Sequence, residues 1–279
     1  MKNLKKLGRF AEVRGVRTHY YESGNGDALV LIHGAGPAAS IMWTYNTAEL
    51  ANDFRVIAPD ELGFGLTDMP LKPDYSLTAR AEHVIGLLDQ LEIESAFICG
   101  QSQGGWIASY IALNRPEMVK KLIIVNSGSI SMATRHLGPE SASAFATRGY
   151  PTRQSVEESL KQLVQKTDLI TEEMVDTALE YAKRNYEVSR ARALATRSPE
   201  RRRENTSLRG RHISEFMCQI KVPTLIVWGK LDAVPFERGL WIQDTIKGSQ
   251  MHIFGDSKHM PFVDHYKEFN RIVATFCKA

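Results

Sequence analysis

The sequence predicts an α/β fold, a mostly parallel sheet covered by helices on both faces, interrupted by a helical insertion. Three observations carry this reading. Short apolar runs of strand length alternate with helical patterns up to about residue 129. The same alternation returns after about residue 221, and between these points it stops. Strands buried on both faces read as continuous apolar runs, and alternating them with helices builds a parallel sheet with right-handed crossovers.

Taken in order, Phe10 to Val13 and Arg17 to Tyr21 flank Arg14-Gly15-Val16 and form a hairpin. The turn cluster Ser23-Gly24-Asn25-Gly26-Asp27 leads into the buried strand Ala28-Leu29-Val30-Leu31-Ile32. A small-residue loop, His33-Gly34-Ala35-Gly36-Pro37, precedes a helix carrying Trp43 and Leu50. Phe54 to Ala58 is the next strand, and Ser76 caps a helix from about Leu77 to Leu91. The strand ending Ala96-Phe97-Ile98-Cys99 gives way to a helix with Trp106, Ile107, Ile111 and Leu113, which Arg115-Pro116 closes. Leu122-Ile123-Ile124-Val125 ends this half of the sheet at Asn126.

Between Ile130 and Ile220 no buried strand is expected. Ser155-Val156-Glu157-Glu158 reads as a capping box, and Thr171 before Glu172-Glu173 opens a second helix. Residues 1–129 and 221–279 are thus the core, and 130–220 a helical lid over the site. The second half of the core holds Thr224-Leu225-Ile226-Val227-Trp228, a helix after Pro235, a strand near Met251 to Phe254, and a final helix from about Asp264 that includes His265.

Composition is that of a soluble globular protein, with 43% hydrophobic and 24% charged residues. A net charge of +3, from 35 basic and 32 acidic residues, points to neither nucleic acid nor an anionic membrane as partner. The local run Arg197, Arg201, Arg202, Arg203, Arg209 and Arg211 is broken by Glu200 and Glu204 and reads as a solvated helix face, with anion attraction near a cleft as the alternative. Cys99, Cys218 and Cys277 are too dispersed for a disulfide framework or a zinc site and fit a reducing cytoplasm. The opening MKNLKKLGRF lacks the apolar core of a signal peptide, and no run approaches the ~20 apolar residues of a membrane span.

Chemistry concentrates at Gly100-Gln101-Ser102-Gln103-Gly104. Between a strand and a helix, G-x-S-x-G makes a sharp turn that exposes the serine hydroxyl, because glycine removes the Cβ atoms that would clash there. A serine hydroxyl is a weak nucleophile at neutral pH, so this turn calls for a base and for a carboxylate to orient it. Among eight histidines, His259 alone falls directly after the final strand. His19 and His252 lie in strands, His83 in a helix, and His136 and His212 in the insertion. Asp232, directly after the strand ending in Trp228, is the preferred acid. Asp256 is its rival but shares a loop with His259, and Asn126, one strand earlier, cannot carry the charge that stabilises an imidazolium. Two backbone amides should hold a developing oxyanion, at about 3 kcal/mol each. They are assigned to Gln103, directly after the nucleophile, and to Ala35 in the small-residue loop, which His33 braces by hydrogen bonding.

With serine, acid, histidine and loop in this order, the chain resembles the α/β-hydrolase superfamily over nearly its full length, which implies a mostly parallel eight-stranded sheet. Within that superfamily it is most similar to the meta-cleavage product hydrolases. The resemblance rests on His33-Gly34-Ala35-Gly36-Pro37, Trp43, Leu169-Ile170-Thr171-Glu172-Glu173, and His259 followed by Asp264-His265 and Phe269-Asn270-Arg271. It implies cleavage of a C–C bond in a vinylogous diketone of the 2-hydroxy-6-oxo-dienoate type, a ring-fission product of aromatic degradation. It also implies no metal or organic cofactor, a small-molecule substrate, and a homodimer or larger symmetric assembly. Substrate contacts are expected at Gly34, Gly36, Asn46, Gln101 and Met260. The chain departs from the pattern at Ala178, where the family has an arginine for the substrate carboxylate, and at Met260, where it has a tryptophan; Lys183, Arg184 and Arg190 could replace the arginine. A carboxylesterase or lactonase would use the same triad, and a ligand-binding protein on this fold is a third reading.

Overall fold

The computed structural model describes residues 8–70, 74–131, 149–188, 190, 207–208 and 211–279. The hairpin of β1 (Gly8–Val13) and β2 (Val16–Ser23) turns at Arg14 and Gly15, both at positive φ (50° and 79°). Such a two-residue turn matches the twist of the flanking strands. β3 (Ala28–Ile32), β4 (Arg55–Pro59), β5 (Ala96–Gln101) and β6 (Val119–Val125) follow. A two-residue pair, β7 (Ser207–Leu208) with β8 (Arg211–His212), stands apart. β9 (Thr224–Gly229) and β10 (Gln250–Phe254) complete an eight-stranded sheet ordered β1-β2-β4-β3-β5-β6-β9-β10. β2 runs antiparallel to β1 and β4, and the remaining pairs are parallel.

Alternate residues of the central strands serve two separate cores. Val30, Ile32, Leu122, Ile124, Ile226 and Trp228 pack on one face with α3 (Leu77–Gln90) and α4 (Gln103–Asn114). Leu29, Leu31, Ile123, Val125, Leu225 and Val227 pack on the other, with Trp43, Phe262 and Phe269. This two-sided burial explains why these strands read as unbroken apolar runs. At roughly 2 kcal/mol per fully buried aliphatic side chain, the two layers supply the main driving force for the fold.

Several elements differ from the sequence expectation. The helix expected at Trp43 and Leu50 is two short helices, α1 (Ala39–Met42) and α2 (Thr47–Leu50), with Trp43 capping the first. In the insertion, α5 (Arg153–Leu163) starts at Thr152, which forms the capping box with Ser155; Ser155 is therefore the third helical residue and not the cap. α6 (Glu172–Arg184) begins after Thr171 as expected. α7 (Glu237–Thr245) starts two residues after Pro235. The final helix is broken at His265 into α8 (Pro261–Asp264) and α9 (Tyr266–Lys278). The two-residue β7–β8 pair is the strand structure described in the insertion, and β8 is exposed at Arg211 and half-buried at His212, so it is no buried strand. His136 and the arginines at 197, 201–203 and 209 lie outside the described residues, while Arg211 is exposed and pairs with Glu215 at 2.8 Å.

Candidate active site

β3 and β5 are neighbours in the sheet although β4 lies between them in the chain. The connections leaving β3 and β5 therefore depart to opposite sides, opening a crevice at their carboxyl ends. Both loops expected to carry chemistry emerge there: His33 to Pro37 after β3, and Ser102 after β5.

Ser102 sits between β5 and α4 at φ 54°, ψ −119°. A non-glycine residue at positive φ stores about 1–3 kcal/mol of strain, which the surroundings must hold. Here Ser102 N donates to Val125 O at 2.9 Å, and the Ser127 and Ser129 hydroxyls donate to Ser102 O at 2.5 and 3.1 Å. The sequence reading did not identify these two serines. A Cβ at Gly100 would lie 2.1 Å from Gly104 O, and one at Gly104 would lie 2.4 Å from Ile32 O, so both glycines are required by close backbone approach.

Asp232 and His259 come from the loops after β9 and β10, strands paired in parallel register. A Cβ on Gly229 would fall 1.9 Å from Lys258 O, so glycine permits the two loops to touch. His259 Nδ1 donates to Asp232 Oδ2 at 2.7 Å. The carboxylate is 3% exposed and the imidazole 17%. With Nδ1 protonated and engaged, Nε2 is the basic nitrogen of the ring. Asp232 Oδ1 accepts from Val234 N, and Oδ2 also accepts from Asn126 Nδ2 at 2.6 Å. Asn126, considered in the sequence only as an inadequate acid, is thus the donor that fixes the acid. Its φ of 43° suits asparagine better than most residues. The rival Asp256 is directed away, to His265 Nε2 at 2.7 Å.

The His259 loop is anchored by Asp264. Its carboxylate accepts from Gln165 N, Lys166 N, Ser257 Oγ and Lys258 N at 2.8–3.3 Å, joining the end of α5 to the loop that carries the histidine.

At the loop after β3, His33 is fully buried; Nδ1 donates to Gly34 O at 2.7 Å and Nε2 accepts from Glu61 N at 3.1 Å. The imidazole is therefore neutral, and it braces the loop. Ala35 is half-buried between buried Gly34 and Gly36, as are Ser102, Gln103 and His259. The Gln103 side chain turns to Arg80, whose Nη1 donates to Oε1 at 2.7 Å. Arg80 Nε donates to Glu61 Oε2 at 2.7 Å, and the guanidinium lies 4.8 Å from the Phe64 ring. Neither Arg80 nor Glu61 was singled out in the sequence, where a helical arginine 22 residues before the serine gives no local signal.

All five expected substrate contacts are buried. The Asn46 side chain is fully buried, and its Nδ2 donates to Phe262 O and Asn270 Oδ1 at 2.9 and 2.8 Å. It ties α2 to the C-terminal helices. Met260 is likewise fully buried, packed in the core layer of Trp43 and Phe262, with its N donating to Leu163 O. Gly34 and Gly36 act through the side chains they lack, since a Cβ would meet Ser102 Cβ at 2.7 Å and Met42 Sδ at 2.3 Å respectively. Gln101 is buried beside Gly34, and its Nε2 donates to His259 O at 3.3 Å. Ala178 is fully buried in an apolar cluster with Ile41, Val156 and Leu160. Lys183, Arg184 and Arg190 are exposed, and Arg184 reaches Asp68 at 3.9 Å.

The alpha/beta hydrolase fold family matches residues 27–266. The chain is similar to the 2-hydroxymuconate semialdehyde hydrolase of Pseudomonas sp. (strain CF600), at 30% identity over 279 residues, covering 98% of this chain and 95% of the relative. It is 29% identical to the 2-hydroxy-6-oxo-6-phenylhexa-2,4-dienoate hydrolase of Comamonas testosteroni, over 99% of this chain and 97% of the relative. Among solved structures it is similar to a meta-cleavage product hydrolase from Pseudomonas fluorescens IP01, with a TM-score of 0.83, 28% identity and 98% of each chain covered.

Proposed function

The chain belongs to the α/β-hydrolase family and, within it, to the meta-cleavage product hydrolases, and from that premise we propose that it hydrolyses a C–C bond in a 2-hydroxy-6-oxo-dienoate formed by aromatic ring fission. The observation that carries the reading is full-length similarity to hydrolases named for that substrate class.

The site residues take roles consistent with it. The dienol is first ketonised, which makes the bond to the distal carbonyl carbon cleavable. Ser102 Oγ attacks that carbonyl while His259 Nε2 takes its proton, and Asp232 holds the imidazole and stabilises the imidazolium. The amides of Ala35 and Gln103 receive the oxyanion. Collapse breaks the C–C bond; the leaving carbanion, delocalised into its own carbonyl, takes a proton, and water then releases the acyl group from Ser102. Serine rather than cysteine is the nucleophile: Cys99, near the elbow, is fully buried, and burial pushes its thiol well above the ordinary range. We further place the enzyme in the cytoplasm, as a homodimer acting on a free small molecule. No helix among the described residues is long and apolar enough to cross a membrane.

An ester or lactone substrate is the second reading. It is favoured by Ala178, whose apolar packing leaves that stretch of α6 without a cation for a substrate carboxylate. Bleaching of a coloured ring-fission dienoate, assayed beside p-nitrophenyl acetate and butyrate, decides between them. Ester turnover with no bleaching at high enzyme concentration would defeat the C–C reading. Unchanged turnover by Ser102→Ala would remove Ser102 as nucleophile.

A further inference from the structure

We propose that Arg80 is a positioning residue for both halves of the oxyanion hole. The inference rests on the reading above that the Ala35 and Gln103 amides receive the oxyanion. Arg80 is 2% exposed and Glu61 is fully buried, an expensive arrangement unless the pair is well bonded. The fork of the guanidinium divides its donors: Nε donates to Glu61 Oε2, which Nη2 also approaches as an ion pair, and Nη1 donates to Gln103 Oε1.

One branch fixes the elbow side. Gln103 is the first residue of α4, and a charge-assisted bond of 2.7 Å on its side chain restrains the residue whose N–H is the donor. The side chain of Gln103 then lies against Arg80 and away from the reacting carbonyl.

The other branch fixes the β3 side through three steps. Glu61, held by Arg80, donates its backbone N–H to His33 Nε2 at 3.1 Å. That bond selects the tautomer in which Nδ1 carries the proton, and Nδ1 donates to Gly34 O at 2.7 Å. Gly34 C=O and Ala35 N–H belong to one planar trans peptide, so they point in opposite directions. Holding the carbonyl toward His33 therefore aims the Ala35 N–H away from it. Phe64 fills the space between, with its ring 5.0 Å from that of His33 and 4.8 Å from the Arg80 guanidinium.

The alternative is that Arg80 and Glu61 only neutralise one another in the core. The two are separated by Gln103→Met, which keeps the amide and the elbow but removes the acceptor for Arg80, and by the paired change Arg80→Met with Glu61→Gln, which leaves no unpaired charge. Steady-state turnover of p-nitrophenyl butyrate gives kcat and KM. Inhibition by phenylboronic acid, whose boron bonds to Ser102 Oγ and carries an anionic oxygen, reads the hole itself. Thermal melting checks folding. We expect kcat to fall about tenfold in Gln103→Met, which cuts the elbow branch alone, and further, toward about 10²-fold, in the paired variant, which cuts both; removing a donor outright costs ~10²–10³. KM should stay within about twofold, the signature of an interaction made in the transition state. The boronate inhibition constant should rise by the same factor as kcat falls, and the triple variant should lose no more than the paired one, since Gln103→Met cuts a link that the paired change has already cut. Parental kcat and boronate affinity in folded Gln103→Met, or losses that multiply in the triple variant, would overturn the proposal. Ser102→Ala serves as the control for the underlying reading. If it binds phenylboronic acid as the parent does, the oxyanion reading fails and the proposal with it. If it loses binding while the other variants keep it, only the role of Arg80 fails.

Discussion

Asn126 donates from Nδ2 to Oδ2 of Asp232 at 2.6 Å, and this is the same oxygen that accepts from His259 Nδ1 at 2.7 Å. The end of β6 therefore reaches the acid of the neighbouring loop directly. Asn126 also accepts from Gly229 N at 3.2 Å, so its amide is locked in orientation by the strand that carries Asp232.

From this geometry, an acid placed at 126 should work in place of the one at 232. Asp232→Asn is expected to lower kcat by about 10³–10⁴-fold, because an amide no longer selects the Nδ1–H tautomer. Adding Asn126→Asp to that variant should restore activity by about tenfold or more, since position 126 already reaches to within 2.6 Å of the oxygen to be replaced. The comparison is made with p-nitrophenyl butyrate on variants shown to be folded. Equal activity with and without the second change would mean that β6 cannot present an acid to His259.

Asp264 accepts four donors from two segments, Gln165-Lys166 after α5 and Ser257-Lys258 before His259. Asp264→Asn turns one acceptor oxygen into a donor facing other donors. We expect a loss of about 2–3 kcal/mol in urea unfolding, the range for a buried bond to a charged group, and a drop in kcat from a loosened histidine loop. An unchanged urea midpoint would show that the insertion is held elsewhere, for example by Tyr45 Oη on Leu169 O at 2.6 Å.

The parts of the site legible in the sequence are those that local chain geometry dictates. Ser102 needed only a strand, a tight glycine turn and a helix, and each of these is a short-range pattern. Asp232 and His259 were legible by position, since each directly follows a strand that reads as buried. What Asn46 and Met260 face could not be read from their neighbourhood alone: Asn46 finds Phe262 and Asn270 more than two hundred residues away. Arg80 and Glu61 were invisible for the same reason, and Asp264, noted only as part of the resemblance, gave no sign of what it binds. Each is a charged residue whose partners are set by tertiary packing, and no period or spacing marks a charge as buried.

His83 couples stability to pH. Burial, with Arg14 nearby, lowers its pKa from 6.5 to about 4, and its Nε2 lies 3.0 Å from Thr18 Oγ1. The folded state thus prefers the neutral ring. The unfolded chain takes up a proton near pH 6.5 and the folded one only near 4, so this contribution is intact above pH 6.5 and declines as pH falls toward 4. It amounts to about 2 kcal/mol of lost stability at pH 5. His83→Gln, which can still bond Thr18, should narrow the difference in urea-unfolding free energy between pH 7.5 and 5 by that amount. The same difference in both proteins would assign the acid sensitivity to other groups.

Gly34 offers the most direct test of how close the two loops of the crevice must come. A Cβ there would lie 2.5 Å from Gln101 Oε1 and 2.7 Å from Ser102 Cβ. The glutamine amide is the end of a side chain and can give way, but Ser102 Cβ is fixed by a strained backbone at φ 54° and cannot. Gly34→Ala should therefore displace the β3 loop and, with it, the Ala35 amide. If that amide is an oxyanion donor, the loss should fall on kcat, by about 10²-fold or more, with KM little changed. The movement is confined to a loop at the crevice, so the melting temperature should fall far less than it does for Gly104→Ala, whose Cβ would press on Ile32 O at 2.4 Å in the sheet itself. A Gly34→Ala enzyme with parental kcat would show that the loop can retreat without cost, and would remove Ala35 from the oxyanion hole.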